Sequence, residues 1–446
     1  MIPRMSNHPQ SNTDLLARSL SAVWHPCSQM KHYENFPLLP IARGSGVWLY
    51  DYDKKRYLDA VSSWWVNLFG HCDPRISAAI SDQLGKLEHV LLAGFTHEPV
   101  VQLSERLREI APQGLGHCFY ASDGASATEI ALKMSAHYWR NSGKPEKTQF
   151  ISLENSYHGE TLGALSVTDV ALFRTAYGSL IRQQATVPSP DWRKAAAGES
   201  AEEYALRCAV ALEQHLQRHH AQLAAFIIEP LVQGAAGMAM YHPVYLHRAR
   251  QLCSEYDVHL IADEIAVGMG RTGTMLACEQ AQISPDFLLL SKGITGGYLP
   301  LSVVMTHDEI YQAFYGNEMA SGFLHSHSYT GNPLACRAAL ATLDIFAQDN
   351  VLAANRDKAA YMNQAALPLR EHHSVQNWRN TGMIWAFEVE TSQRNFAQRC
   401  FALALDNELL LRPIGNTIYF MPPYIISELE MDLLVNHTVH IINQLS

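Results

Sequence analysis

The sequence predicts an α/β fold, in which a mostly parallel central sheet is flanked by helices and a smaller α+β domain is built from the two chain ends. Three observations carry this expectation. From about Asp73 onward, amphipathic helical patterns alternate with short apolar runs, the mark of an α/β domain. Runs such as Ala225–Ile228 and Phe287–Leu290 have the length and apolar continuity of buried strands. Several end in polar or glycine-containing turns, and in a parallel sheet such ends share one edge, where α/β proteins place ligands. The expected division is an N-terminal segment (1–72), a large domain (73–330) and a C-terminal small domain (331–446).

Taken in order, residues 1 to about 20 are polar and read as a loosely held arm with Pro3 and Pro9. Gly46–Tyr50 and Arg56–Ala60 flank a turn at Asp51-Tyr52-Asp53, a hairpin pattern. The aromatic stretch Ser62–His71 is not helical; as extended chain, its adjacent tryptophans would face opposite ways, with Trp65 in the core. Helices are expected at Ile76–Leu87, Val100–Ile110, Ala127–Trp139, Glu202–His219 and Val244–Tyr256. Strands are expected at His117–Tyr120, Gln149–Leu153, Ala225–Ile228, His259–Ala262 and Phe287–Leu290. The Pro-, Ser- and Gly-rich stretch 187–201 reads as a surface excursion. Beyond Gly331 helices dominate, with strands near Ile384–Val389 and Thr417–Phe420.

Composition narrows the function. With 17% charged residues, a formal net charge of −10 and no basic block, the chain is a poor match for nucleic acid. No apolar run reaches the roughly 20 residues of a membrane span, and the N-terminus lacks a signal-peptide pattern. The scattered cysteines fit free thiols in a reducing cytoplasm. His215, His219 and His220 have no facing ligand set, so no metal site is expected.

One lysine stands out. Lys292 follows an apolar run and precedes Gly296-Gly297, which places it at a strand mouth. Alone, such a lysine is most often a solvated charge; partly desolvated, it becomes a nucleophile toward carbonyls. Asp263 ends the preceding strand, about 30 residues earlier. An aldehyde cofactor with a ring nitrogen needs both an amine and a carboxylate. The turn from Ala121 to Ser126, with a helix start at Gly124-Ala125, supplies backbone N–H groups for a phosphate, although an ordinary capped helix explains Ser122 and Asp123 nearly as well. Spacing leaves Tyr157 open between stacking on a cofactor ring and simple packing. Gly268–Gly273 matches GxGxxG, but Asp263–Val267 separate it from the strand and no helical pattern follows, which argues against dinucleotide binding.

The stretches NSYHGET (Asn155–Thr161), IIEPLVQGAAGM (Ile227–Met238), LIADEIAVGMGRTG (Leu260–Gly273), SKGITGG (Ser291–Gly297) and HSHSYTGNPLAC (His325–Cys336) resemble the class III pyridoxal-phosphate aminotransferases. WHPCSQM (Trp24–Met30) adds to this resemblance, and SSWW (Ser62–Trp65) and LRPIGNTIYFMPPYII (Leu411–Ile426) resemble the branch that serves biotin synthesis. The resemblance covers nearly the whole chain. It implies fold type I, a homodimer with both sites at the interface, and pyridoxal 5'-phosphate held as a Schiff base by Lys292. It further implies Asp263 at the pyridine nitrogen, Asp123 and Gly124 at the phosphate, and Tyr157 on the ring. His327 and Ser328 would reach the neighbouring subunit's cofactor phosphate. Trp64, Tyr157, Lys292 and the Ser326 backbone would line the substrate site, with Arg412 binding the carboxylate of the keto acid. A place before an apolar strand makes Arg412 an expected buried residue. The implied substrates are S-adenosylmethionine as donor and 8-amino-7-oxononanoate as acceptor; lysine as donor, or another ω-amino acid substrate, are the alternatives.

Two departures stand out. Cys27 occupies a substrate-pocket position where many of these enzymes have tyrosine, so that contact is lost or passes to another group such as Tyr33. Asp123 replaces a common serine; because a carboxylate facing phosphate is repulsive, only its backbone N–H is expected to point inward.

Overall fold

The computed structural model describes residues 11–36 and 38–445. The first ten residues of the expected arm, with Pro3 and Pro9, lie outside the described residues; Asn12–Ala22 is a helix capped by Ser11. The strands are β1 (Ile41–Ser45), β2 (Trp48–Asp51), β3 (Arg56–Asp59), β4 (Leu115–Ala121), β5 (Gln149–Leu153), β6 (Ala185–Val187), β7 (Leu223–Ile228), β8 (Val232–Gln233), β9 (Ala239–Met240), β10 (His259–Asp263), β11 (Phe287–Leu290), β12 (Ser302–His307), β13 (Val375–Thr381), β14 (Ile384–Val389), β15 (Leu409–Leu410) and β16 (Thr417–Phe420).

Seven strands form the central sheet in the order β4-β12-β11-β10-β7-β5-β6. Only β12 runs against its neighbours, so the sheet is mostly parallel. Its unbroken apolar strands follow from burial on both faces. Phe226, Ile228, Leu260, Ala262, Leu288 and Leu290 join one hydrophobic cluster, while the alternating Ala225, Ile227, Ile261, Phe287 and Leu289 join the other. Strand periodicity thus divides each run between two helical layers.

The outer sheets combine distant segments. β1, β2 and β3 form an antiparallel meander, and β15 adds to β3 in parallel. β13, β14 and β16 form a separate antiparallel sheet, and Met421 N donates to Ala60 O at 2.8 Å.

Local chemistry sets the helix limits. The helix expected from Ile76 starts at Pro74, because Asp73 accepts from Arg75 N and Ile76 N, and ends at Leu84 before Gly85. The helix Ala201–His219 has a reciprocal Ser200–Glu203 capping box. Two expectations are corrected. The stretch 187–201 is not merely a surface excursion: Ser189 and Asp191 are buried, because Ser189 Oγ donates to Gln233 Oε1 and Asp191 holds Arg193. Nor is Ser62–Trp65 extended; it is a left-handed turn with φ of 49°, 47°, 71° and 72°. No helix among the described residues is long and apolar enough to cross a membrane.

Candidate active site

Five strands, β4, β5, β7, β10 and β11, deliver polar groups at their C-terminal ends. Ala262 and Asp263 of β10 are in register with Leu288 and Leu289 of β11, so Lys292, three residues beyond Leu289, emerges beside Asp263. Lys292 is strained, with φ 44° in a conformation that side-chain-bearing residues seldom adopt. Its ammonium loses hydration there, and this lowers its pKa from the ordinary lysine value; the charges of Asp263 and Glu229 oppose the shift without cancelling it. Lys292 Nζ lies 4.8 Å from the centroid of the Trp65 ring. Gly297, at φ 89°, lets the 62–67 turn approach this closely, since a Cβ there would come within 2.8 Å of Asn67 Cα.

Three carboxylates surround the strand ends. Asp263 Oδ2 is 2.7 Å from His158 Nδ1 and Oδ1 accepts from Ile265 N; both Asp263 and His158 are buried. Glu229 accepts from Tyr157 N and Gly234 N at 3.1 and 3.0 Å. Burial nevertheless dominates and pushes its pKa up to about 7. Glu264 is also raised to about 7 by burial, although it accepts from Ala277 N and Cys278 N.

The helix Gly124–Asn141 points its N-terminus at this edge. Asp123 is its cap: Oδ1 accepts from Ser126 N and Oδ2 from Ser126 Oγ, both at 2.9 Å. The carboxylate is thereby committed to the helix, and Gly124 and Ala125 hold N–H groups for which a helix start has no intrahelical acceptor. Tyr157 donates to Glu160 Oε1 at 2.9 Å and meets Phe173 edge-on. Cys27 is exposed but near enough to help raise the Tyr157 pKa, after burial and Glu160. Tyr33 instead donates to Ser28 Oγ and lies edge-on to His25.

The left-handed turn sends its two tryptophans in different directions. Trp65 is 6% exposed, donates to Tyr419 OH and faces Lys292; Trp64 is 43% exposed and lies under the Arg412 guanidinium, 4.5 Å from its ring centroid. Such a run of left-handed side-chain-bearing residues costs about 1–2 kcal/mol per residue. Arg412 is exposed, contrary to expectation: β15 ends at Leu410, and Arg412 lies in the loop before β16 although its neighbour Leu411 is buried.

The fold thus gathers Lys292, Asp263, Tyr157, Gly124, Trp64 and Arg412 around one edge. Ser326, His327 and Ser328 are held elsewhere in the single chain. Ser326 and Ser328 are exposed, and His327 contacts His325, which in turn contacts Lys133. Sequence reasoning assigned no role to His158 or Glu229 and put Trp65 in the core. A signal existed for Glu229, which directly follows β7, whereas His158 lies in the loop beyond β5 and a buried histidine bonded to a carboxylate has no spacing signature. The Gly268–Gly273 glycines open no helix; Arg271 within them is buried and donates to Asn67 O and Pro422 O.

The donor set fits a phosphate-bearing aldehyde cofactor with a ring nitrogen. It offers an amine of lowered pKa, a buried carboxylate beside it and a helix N-terminus freed of its cap's charge. The aminotransferase class-III family model matches residues 29–442. The chain is 47% identical to the adenosylmethionine-8-amino-7-oxononanoate aminotransferase of Helicobacter pylori, over 97% of this chain and 98% of that protein. It superposes with a TM-score of 0.91 on the crystal structure of the enzyme of that name from Methanocaldococcus jannaschii, at 35% identity, covering 97% and 99% of the two chains. An amine transaminase from an uncultivated Pseudomonas species, solved in its PLP-bound form, gives a TM-score of 0.89 at 31% identity, covering 95% and 99%. The fold is that of these PLP-dependent aminotransferases, and the cofactor is pyridoxal 5'-phosphate. Matched by its family across nearly its whole length, and carrying the amine and carboxylate that transamination requires, the chain belongs to the class-III aminotransferases.

Proposed function

We propose that this aminotransferase moves an amino group from S-adenosylmethionine to 8-amino-7-oxononanoate, giving 7,8-diaminononanoate for biotin synthesis. The observation that carries the reading is the Arg412–Trp64 stack beside Trp65 and Lys292. A long keto acid needs its carboxylate paired at the rim while its carbonyl reaches the amine, and a guanidinium binds a carboxylate bidentately. The names of relatives at 34–47% identity support the same substrates.

When bound, the cofactor supplies an electron sink for the carbanion at the substrate Cα. Lys292 Nζ, whose pKa burial lowers, takes the proton from that carbon and later returns it. Asp263, oriented by His158, holds the proton on the ring nitrogen. The Gly124 and Ala125 N–H groups hold the phosphate, and Tyr157, tied to Glu160, covers the ring. Cys27, Trp64 and Tyr157 form the substrate wall of this chain, which the Ser326 backbone of a second copy completes. His327 and Ser328 act on the phosphate of a second copy, so the working form is a homodimer, in the cytoplasm. This reading divides the chain at 72 and 330, the β15–β3 pairing joining the two ends.

The test is to mix the yellow holoenzyme separately with S-adenosylmethionine, lysine and alanine and follow its visible band. Loss of the band with S-adenosylmethionine alone is expected. Loss with lysine alone would replace the donor, and no response to any of the three would reject the donor assignment.

A further inference from the structure

The turn Ser62–Trp65 consists entirely of side-chain-bearing residues in the left-handed region, which such residues normally visit one at a time. Its backbone bonds, Trp65 N to Val61 O and Val66 N to Ser62 O, have the i to i−4 spacing that a right-handed turn also makes. These bonds therefore do not select its hand; side-chain ties do. Ser62 Oγ donates to Met421 O at 2.7 Å, and Ser63 Oγ donates to Asp59 Oδ2 at 2.7 Å.

Asp59 is built as a fixed post. It ends β3, is fully buried, and receives a second bond at Oδ2 from His71 Nε2 (3.1 Å) and one at Oδ1 from Val61 N (3.4 Å). His71 is itself mounted rigidly. Its backbone exchanges two hydrogen bonds with Gly46, its Nδ1 meets Asn67 Nδ2 at 3.3 Å, and its side chain occupies the space beside Gly44, where an added Cβ would lie 2.5 Å from His71 Cβ. None of these groups touches Lys292, yet the turn they hold sets Trp64 under Arg412 and Trp65 beside the amine.

We infer that Asp59, acting through Ser63 and with His71 behind it, is a positioning residue for acceptor recognition: it holds the left-handed turn that presents Trp64 to Arg412. The inference rests on the reading of the Trp64–Arg412 stack as the keto-acid carboxylate site.

The test uses holoenzyme variants Asp59→Asn, Ser63→Ala, Ser63→Gly and Trp64→Ala. It compares KM for 8-amino-7-oxononanoate with the rate at which S-adenosylmethionine removes the visible band. Asp59→Asn and Ser63→Ala are expected to raise acceptor KM about tenfold and to change the donor half-reaction less than about threefold. Ser63→Gly loses the same hydroxyl but accepts left-handed φ without strain, so its KM should lie nearer the wild-type value than that of Ser63→Ala. A purely structural role would damage the donor half-reaction along with acceptor KM. Wild-type KM in both Asp59→Asn and Ser63→Ala, or Gly no better than Ala, overturns the inference while leaving the substrate reading intact. Unchanged KM in Trp64→Ala overturns the substrate reading and the inference with it. Should Asp59→Asn fail to retain cofactor, the two Ser63 variants decide.

Discussion

His158 Nδ1 lies 2.7 Å from Asp263 Oδ2, both side chains are buried, and His158 Nε2 has no hydrogen-bond partner among the described residues. A carboxylate only accepts, so Nδ1 carries the proton in this contact. Without it, Asp263 keeps, among the described residues, the bond from Ile265 N alone. A hydrogen bond to a charged group contributes about 1.5–3 kcal/mol, so His158→Ala should weaken cofactor retention by about 10- to 100-fold. Titrating the apo variant with pyridoxal 5'-phosphate measures this. Asn at 158 keeps a donor and should recover part of the loss; equal affinity in the wild type and the alanine variant would remove the positioning role.

Glu229 provides a pH signature. Its folded pKa of about 7 lies above the ordinary glutamate value of 4.5, so between those limits the folded state binds more protons than the unfolded state. Stability from this group therefore falls as pH rises through that window and levels off above it, by at most about 3 kcal/mol. Glu229→Gln cannot titrate. The wild-type thermal midpoint minus that of Glu229→Gln should decrease from about pH 5 to about pH 7. A difference that is flat or rising over that range counts against the burial argument.

For Arg412, Ala in its place should weaken keto-acid binding by about 2–5 kcal/mol while the donor half-reaction persists. The measurements are acceptor KM and the single-turnover band loss with donor. Equal damage to both halves would mean that Arg412 supports the site as a whole.

Much of this arrangement was legible in the sequence because strand ends are. Lys292 and Asp263 each follow a short apolar run, and parallel pairing of those runs forces their side chains together. The hand of the Ser62–Trp65 turn was not legible. Four serines and tryptophans carry no glycine signal, and the conformation depends on Asp59 and Met421, the latter more than 350 positions away. The same applies to Arg412: local apolarity suggested burial, whereas Arg412 lies exposed in the loop that follows β15. The proline- and serine-rich stretch 187–201 misled for a related reason, since its polar groups are paired by Gln233 and Glu388, which only tertiary structure supplies.

Glu388 is the hub of that pairing. Arg379 donates to both of its oxygens, at 2.7 and 3.2 Å, and Arg193 donates at 2.8 Å. Arg379 is buried and also bonds Met238 O and Gly237 O. Glu388→Ala would leave two guanidinium groups facing each other, at a cost of about 3 kcal/mol or more. A lowered thermal midpoint is expected, and Arg379→Met added to Glu388→Leu should restore most of it.

The homodimer can be tested through His327, which in the single chain contacts His325 rather than the strand ends. If each site takes Lys292 from one subunit and His327 from the other, Lys292→Ala and His327→Ala chains complement each other. In a mixed dimer one site then carries both lesions, while the other combines an intact Lys292 with an intact His327. Random reassortment makes half the dimers mixed, so about a quarter of all sites should regain wild-type behaviour at limiting cofactor. A site built within one chain gives a different result: every site in the mixed dimer keeps one lesion, and no activity returns. Unfolding and refolding the two variants together, then assaying against each refolded alone, separates the two outcomes.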